Sequence, residues 1–357
     1  MSSGTVVHRR KPLSVSILNA NLALSARWLG ITVALGTSSV YAQDVIDVAP
    51  GTTSLLITPE DHPAGLTINV ADGIVLEDLL ILPFADPNSL NNPQPFAINV
   101  DGTVSSAIID AGSSDVTALV PLSSLNISST GLVSVLSITG GADITNDGVI
   151  SFAPATNTSA GFTPALTVST PFDDATGRNW ASTIVNNGSI IAEGSNLPGG
   201  IFGTAVRANG VFGPVPGTVS LNLTNTGTMA LGDDATGALI RWNDADDILI
   251  ANSGTLDAGF TAVATGFNFD PVVFLRDNSQ APGNEFDDNM VITNENSGDI
   301  TGARIIIASP FDGSESYNVT FTNAGSITAS GSDVASPSDP GGAAFLINGL
   351  STFTNSG

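Results

Sequence analysis

A short phrase recurs along this chain and limits its folding options more than any other property. It consists of β-forming residues, then Thr or Val, Asn, one residue, Gly, and an alternating apolar run. It reads DITNDGVISF from Asp143, TIVNNGSIIA from Thr183, LNLTNTGTMAL from Leu221 and LIANSGTLDA from Leu249. It returns as VITNENSGDITG from Val291, with two extra residues, and as TFTNAGSITA from Thr320. TFTNSG begins a further copy at Thr352, and looser relatives start at Thr67, Ala97 and Ser124. Self-similarity of this kind is the mark of a repeat architecture, in which each unit buries its apolar side only against its neighbours.

The glycines of successive clear copies lie 27 to 44 residues apart. A constant turn at a variable interval points to a fixed rung with insertions at one corner, not to a rigid helical repeat. The expected turn residues are Asn146 and Gly148, Asn186 and Gly188, Asn225 and Gly227, Asn252 and Gly254, Asn294 and Gly298, and Asn323 and Gly325. Asn tolerates a left-handed backbone and Gly adopts positive φ without a Cβ clash, so each pair is read as a sharp bend. Flanking Ile144, Val149, Ile150, Ile184, Ile190 and Ile191 supply apolar side chains expected to point inward from strands. Rungs stacked at ~4.8 Å would bury one continuous core and pair each other's backbone groups. A second element, Gly followed by an apolar strand, recurs as GTAVRA from Gly203, GALIRW from Gly237 and GGAAFLING from Gly341. Polar, proline-bearing stretches such as SNLPGG and SDVASPSDPGG precede it and read as loops, because proline cannot donate to a ladder. An antiparallel sandwich of hairpins is the alternative, but it needs turns about every 8–12 residues. The expectation is all-β: a right-handed parallel β-helix.

Composition agrees with strands. The chain has 38 glycines, 42% hydrophobic residues, 12% charged residues and no cysteine. Low charge with many apolar residues opposes disorder, and the lack of cysteine removes disulfides and thiolate metal sites. The formal charge is −24, and all 33 acids follow residue 42, opposed there by five arginines and no lysine. That excess repels phosphate backbones, so nucleic acid is excluded as a partner. Residues 1–42 hold a basic stretch (His8-Arg9-Arg10-Lys11) and the short apolar run Trp28 to Leu35, and they end in Val40-Tyr41-Ala42. This layout predicts a signal peptide cut before Gln43, and its apolar run falls well short of the ~20 residues that cross a bilayer. Residues 43–139 read as an N-terminal cap with irregular first coils, and 140–357 as the repetitive β-helix.

The TNxGxI phrases and Gly-apolar strands, spread over about residues 65–357 behind an export signal, resemble the passenger region of autotransporter (type V secreted) proteins. The resemblance implies a bacterial surface or secreted location and a C-terminal outer-membrane β-barrel in the full-length product. It implies contacts with host or neighbouring-cell surface molecules. The last phrase stops at Asn355-Ser356-Gly357, and a solenoid end needs a capping rung, so further rungs are expected downstream. A two-partner-secreted exoprotein would leave the same record. The expected role is a structural stalk or adhesin, not an enzyme.

Catalytic parts are scarce in the sequence. His62, in Thr-Pro-Glu-Asp-His-Pro, is the one histidine after residue 42, and it reads as a solvated loop residue without a nucleophile motif beside it. The alternative function is a β-helical glycosidase or lyase built on clustered carboxylates. Its candidates are Asp173-Asp174 and Asp233-Asp234 in two DDATG phrases, with Asp244, Asp246, Asp247, Glu285, Asp287, Asp288, Arg178 and Arg241 nearby. The DDATG turns also offer oxygen ligands for weak Ca²⁺ binding, although no EF-hand loop or glycine-rich nonapeptide accompanies them. No cofactor is expected. Trp180 and Trp242 each follow a DDATG phrase and are candidates for stacking on a sugar.

Overall fold

The computed structural model describes residues 43–58, 61–62, 65–82, 96–110, 122–139, 142–152, 165–169, 180–192, 206–209, 219–231, 238–243, 247–259, 271–276, 289–302, 304–308, 317–329, 345–347 and 349–357. The expected signal peptide lies outside them. The described residues form 28 strands and no α-helix, and every strand pairing is parallel. Each strand pairs with its counterpart one repeat away, which makes the chain a parallel β-helix.

Eleven coils follow one another, and their opening strands form one uninterrupted eleven-stranded sheet, the first face. It runs through Asp44–Asp47, Leu66–Val70, Phe96–Val100, Leu122–Ile127, Ala142–Asn146, Trp180–Asn186, Val219–Asn225, Asp247–Asn252, Asn289–Asn294, Tyr317–Asn323 and Gly349–Asn355. In the second and third coils one long strand, Val75–Ile81 or Thr103–Asp110, spans the remaining width. At the fourth coil this strand gives way to two, Leu132–Val133 and Leu136–Thr139, which pair with different halves of Thr103–Asp110. From there two ladders continue. The second face holds Val149–Phe152, Ser189–Ala192, Thr228–Leu231, Thr255–Asp257, Asp299–Gly302 and Ser326–Ala329. The third holds Leu166–Ser169, Val206–Asn209, Ile240–Asn243, Pro271–Arg276, Arg304–Ala308 and Phe345–Ile347.

Register keeps like side chains above like. On the first face the inward column reads Ile68, Ile98, Leu125, Ile144, Ile184, Leu223, Ile250, Ile292, Phe321, Phe353. The second face supplies Val133, Ile150, Ile190, Met229, Leu256, Ile300 and Ile327 in the same way. The buried members join one core. Strict alternation decides which isoleucines belong to it: Ile144, Ile150, Ile184 and Ile190 are buried, whereas Val149 and Ile191, also expected inside, lie on the half-exposed outer side. In the last coils the aliphatic column changes to aromatic, with Phe321, Phe345 and Phe353 packed at ring separations of 4.9 to 6.0 Å.

The Asn-x-Gly corner is tight because of stacking, not because of a left-handed backbone. Positive φ occurs at Gly51, Gly65, Gly73 and Gly259, and none of these is a corner glycine of the clear copies. Instead, a Cβ built on Gly188 would collide with the carbonyl oxygen of Gly148, and one on Gly227 would strike that of Gly188. Backbone lies directly over backbone: Ser189 N–H donates to Gly148 O and Thr228 N–H to Gly188 O, each at 2.9 Å. The two extra residues before Gly298 fit by a local turn, in which Gly298 N–H donates to Glu295 O at 2.8 Å.

Two further expectations change. The variable stretches fall in sequence at two corners, between the second and third faces and between the third face and the next coil, instead of at one. His62 is 7% exposed and not solvated, with Nδ1 3.0 Å from Asp44 Oδ2. Asp44 opens the first strand, so this contact fastens the start of the solenoid. Replacing His62 by alanine should hasten amide exchange in Asp44–Asp47 by about tenfold, as expected for loss of ~1.4 kcal/mol of local stability. Exchange that is unaltered there would show that the contact does not hold the strand.

Candidate functional site

The turn asparagines form a chain of amides along the inside of the first corner. Asn146, Asn186, Asn225, Asn252 and Asn294 have no exposed surface, and Asn323 is 3% exposed. Each Nδ2 donates to the Oδ1 of the next coil: Asn146 to Asn186, Asn186 to Asn225, Asn225 to Asn252, Asn252 to Asn294, Asn294 to Asn323 and Asn323 to Asn355, all at 2.7–2.8 Å. The second N–H of these amides meets backbone carbonyls, as Asn225 does at Thr255 O, 3.1 Å away. Buried amides need such partners to be tolerated. The one orphan is Asn146 Oδ1, which is buried without a partner, because its register neighbour in the preceding coil is Ile127.

The first coils hold a different ladder on the outer side. Asn126 Nδ2 donates to Asn99 Oδ1, Asn99 to Asn69, and Asn69 to Asp47 Oδ1, at 2.8–3.0 Å. Its direction is reversed and it ends on a carboxylate, an acceptor with no donor of its own. Asn126 at the other end is exposed, so its free oxygen faces water. One step in register thus moves the asparagine from outside to inside: Asn126 faces Thr145, and Ile127 faces Asn146.

Outside the inner ladder, the first face presents two regular columns. One runs Thr183, Asn222, Leu249, Val291, Thr320, Thr352, and the other Val185, Thr224, Ala251, Thr293, Thr322, Thr354. Leu249 and Val291, register neighbours, are 44% and 37% exposed. Across all eleven strands of this face the only charged residues are Asp44, Asp47, Asp143 and Asp247, and there is no base. Of the two corners that adjoin it, the one from each first-face strand to the next strand of the same coil contains no long insertion in any coil, whereas the one entered from the preceding coil's third face does. No comparison names a relative. No family model, curated protein or solved structure matches this chain. Any reading of function therefore rests on these residues.

The other sequence candidates are not gathered by the described structure. Asp173, Asp174, Asp233 and Asp234 lie outside the described residues, as do Asp244, Asp246, Glu285, Asp287, Asp288 and Arg178. Trp180 opens a first-face strand opposite Val219, and Trp242 lies on the third face between Ala208 and Leu275. Asp247 begins a first-face strand, one coil corner beyond Arg241. Among the described residues no group of three or more His, Asp or Glu side chains could hold a metal ion. Sequence reading missed the outward columns of the first face. The signal was present in the residue before each Asn and in the one two places earlier, positions that alternate away from the core.

Proposed function

We propose that this chain is an exported bacterial surface protein of the autotransporter passenger type, in which the β-helix serves as structural stalk or adhesin. The observation that carries this reading is the unbroken eleven-coil stack, whose variable segments leave from two corners while the third stays closed. Such a body supplies length and stiffness from backbone pairing alone, and its acid-rich insertions fall in sequence at two of its corners. The basic and apolar stretches of residues 1–42 support export, and the acidic surplus beyond them suits a soluble exterior.

The test is processing of the full chain in a Gram-negative host. Material recovered outside the cytoplasm is expected to begin at Gln43, and to resist protease for longer in its strands than in its insertions. A product retained in the cytoplasm with residues 1–42 intact would overturn the export reading. Cleavage of a neutral or acidic polysaccharide by the purified chain would replace the stalk with the carbohydrate-active alternative.

A further inference from the structure

We infer that the solenoid carries a built-in break between its fourth and fifth coils, across which the first four coils open and close as one block while the later coils stay stacked. In a stacked array, stability is what each coil holds within itself plus what it exchanges with its neighbours. One weak join therefore divides the array into blocks.

Side-chain amides mark this join first. From the fifth coil to the eleventh, an inner Asn–Asn bond crosses every join. From the first coil to the fourth, an outer bond of the same series through Asp47, Asn69, Asn99 and Asn126 does so. Between Leu122–Ile127 and Ala142–Asn146, no such bond crosses among the described residues. The outer series donates toward the amino terminus and the inner series away from it. Both consequently present a carbonyl oxygen to the join: Asn126 Oδ1 outside, and Asn146 Oδ1 inside, buried over Ile127 without a donor. Two acceptors cannot bond each other.

Backbone pairing weakens at the same place. The register of Ala142–Asn146 on Leu122–Ile127 shifts between Ala142 and Ile144. On the second face only Val149 and Ile150 pair downward, with Leu132 and Val133, whereas all four residues of Val149–Phe152 pair upward with Ser189–Ala192. What holds the join is the remaining backbone ladder and apolar stacking, with Leu125 beneath Ile144, Val133 beneath Ile150 and Ile138 beneath Val168. Of the two blocks the first opens more readily. Its bonds from Asn69 to Asp47 and from Asn126 to Asn99 are exposed, where water competes for them, while the inner bonds from Asn146 to Asn294 are buried. Opening that starts in the first coils thus stops at Asn146 and does not travel up the inner ladder.

Hydrogen exchange of the purified full chain, at rising urea below global unfolding, tests this. Amides in Leu66–Val70, Phe96–Val100 and Leu122–Ile127 should share one opening reaction. Those in Trp180–Asn186, Val219–Asn225 and Asp247–Asn252 should share another, with protection at least about tenfold higher. The change should come as a step between Ile127 and Asn146. Protection that declines smoothly from coil to coil would be simple fraying and would overturn the inference. So would a single opening reaction common to all the strands.

Two variants probe the independence of the blocks. Asn99→Ala cuts the outer series and should speed exchange about threefold throughout Leu66–Ile127, while Trp180–Asn252 is unchanged. Asn225→Leu cuts the inner series and should speed exchange in the later block alone. An effect of either change that spreads across the join would mean that the coils form one cooperative unit. All of these outcomes are read in purified protein, so export or its failure bears on none of them.

Discussion

Alanine at Gly188 will destabilise the β-helix by about 3 kcal/mol or more, the upper range for forcing an extra methyl into a packed interior. The added Cβ meets backbone on the coil beneath: the carbonyl oxygen of Gly148, and the carbonyl carbon of Asp147 at 2.7 Å. Backbone cannot swing aside as a side-chain tip would. Moving it would break the bond from Ser189 N–H to Gly148 O and the pair from Asn187 and Gly188 to Asn146 O. Gly73→Ala is the control. Its φ is +77° and nothing lies within 4 Å of the new Cβ, so its cost is conformational, about 1–2 kcal/mol. Urea denaturation of the two variants separates the causes. Equal losses would mean that turn conformation, and not stacking, selects glycine at the corner.

The recurring phrase made the rung legible. Alternation identified Ile144, Ile150, Ile184 and Ile190 as core, but the same reading placed Val149 and Ile191 inside, where a period of two on a parallel stack puts them outside. The corner glycines were read on a mistaken physical basis. Within one repeat, Asn-x-Gly looks like a bend that needs positive φ, and only the neighbouring coil reveals that Gly148 and Gly188 occupy the same column. His62 was misjudged for a related reason. Acids and a proline surround it in sequence, but its partner Asp44 is 18 residues away and comes near only when the first coil closes. The variable intervals told that insertions exist and not at how many corners they leave, since a spacing between glycines sums both. A repeat pattern does not encode whether the DDATG acids, or Trp180 and Trp242 on their strands, meet a ligand.

The inner amide chain leads to the second large effect, and to one that a repeat-by-repeat view would not anticipate. Leucine in place of Asn225 should cost about 2–4 kcal/mol, and leucine in place of Asn146 should cost less by about 1–3 kcal/mol. Both positions are fully buried and both sit on the same turn phrase, so volume and hydrophobicity predict equal results. Hydrogen-bond direction breaks the equivalence. With Asn225 gone, Asn252 Oδ1 loses its donor, while Asn186 Nδ2 still reaches Thr228 O at 3.2 Å. The core then holds two orphan carbonyl oxygens, at Asn146 and Asn252, where it had one. With Asn146 gone, the orphan merely passes from Asn146 Oδ1 to Asn186 Oδ1, and the count stays at one. A buried carbonyl without a donor costs about 1–3 kcal/mol, so the difference between the variants measures that single group. Equilibrium unfolding of both in parallel gives the comparison directly. If Asn146→Leu is the more damaging, the amides do not run in one direction, and the ladder contributes through packing instead.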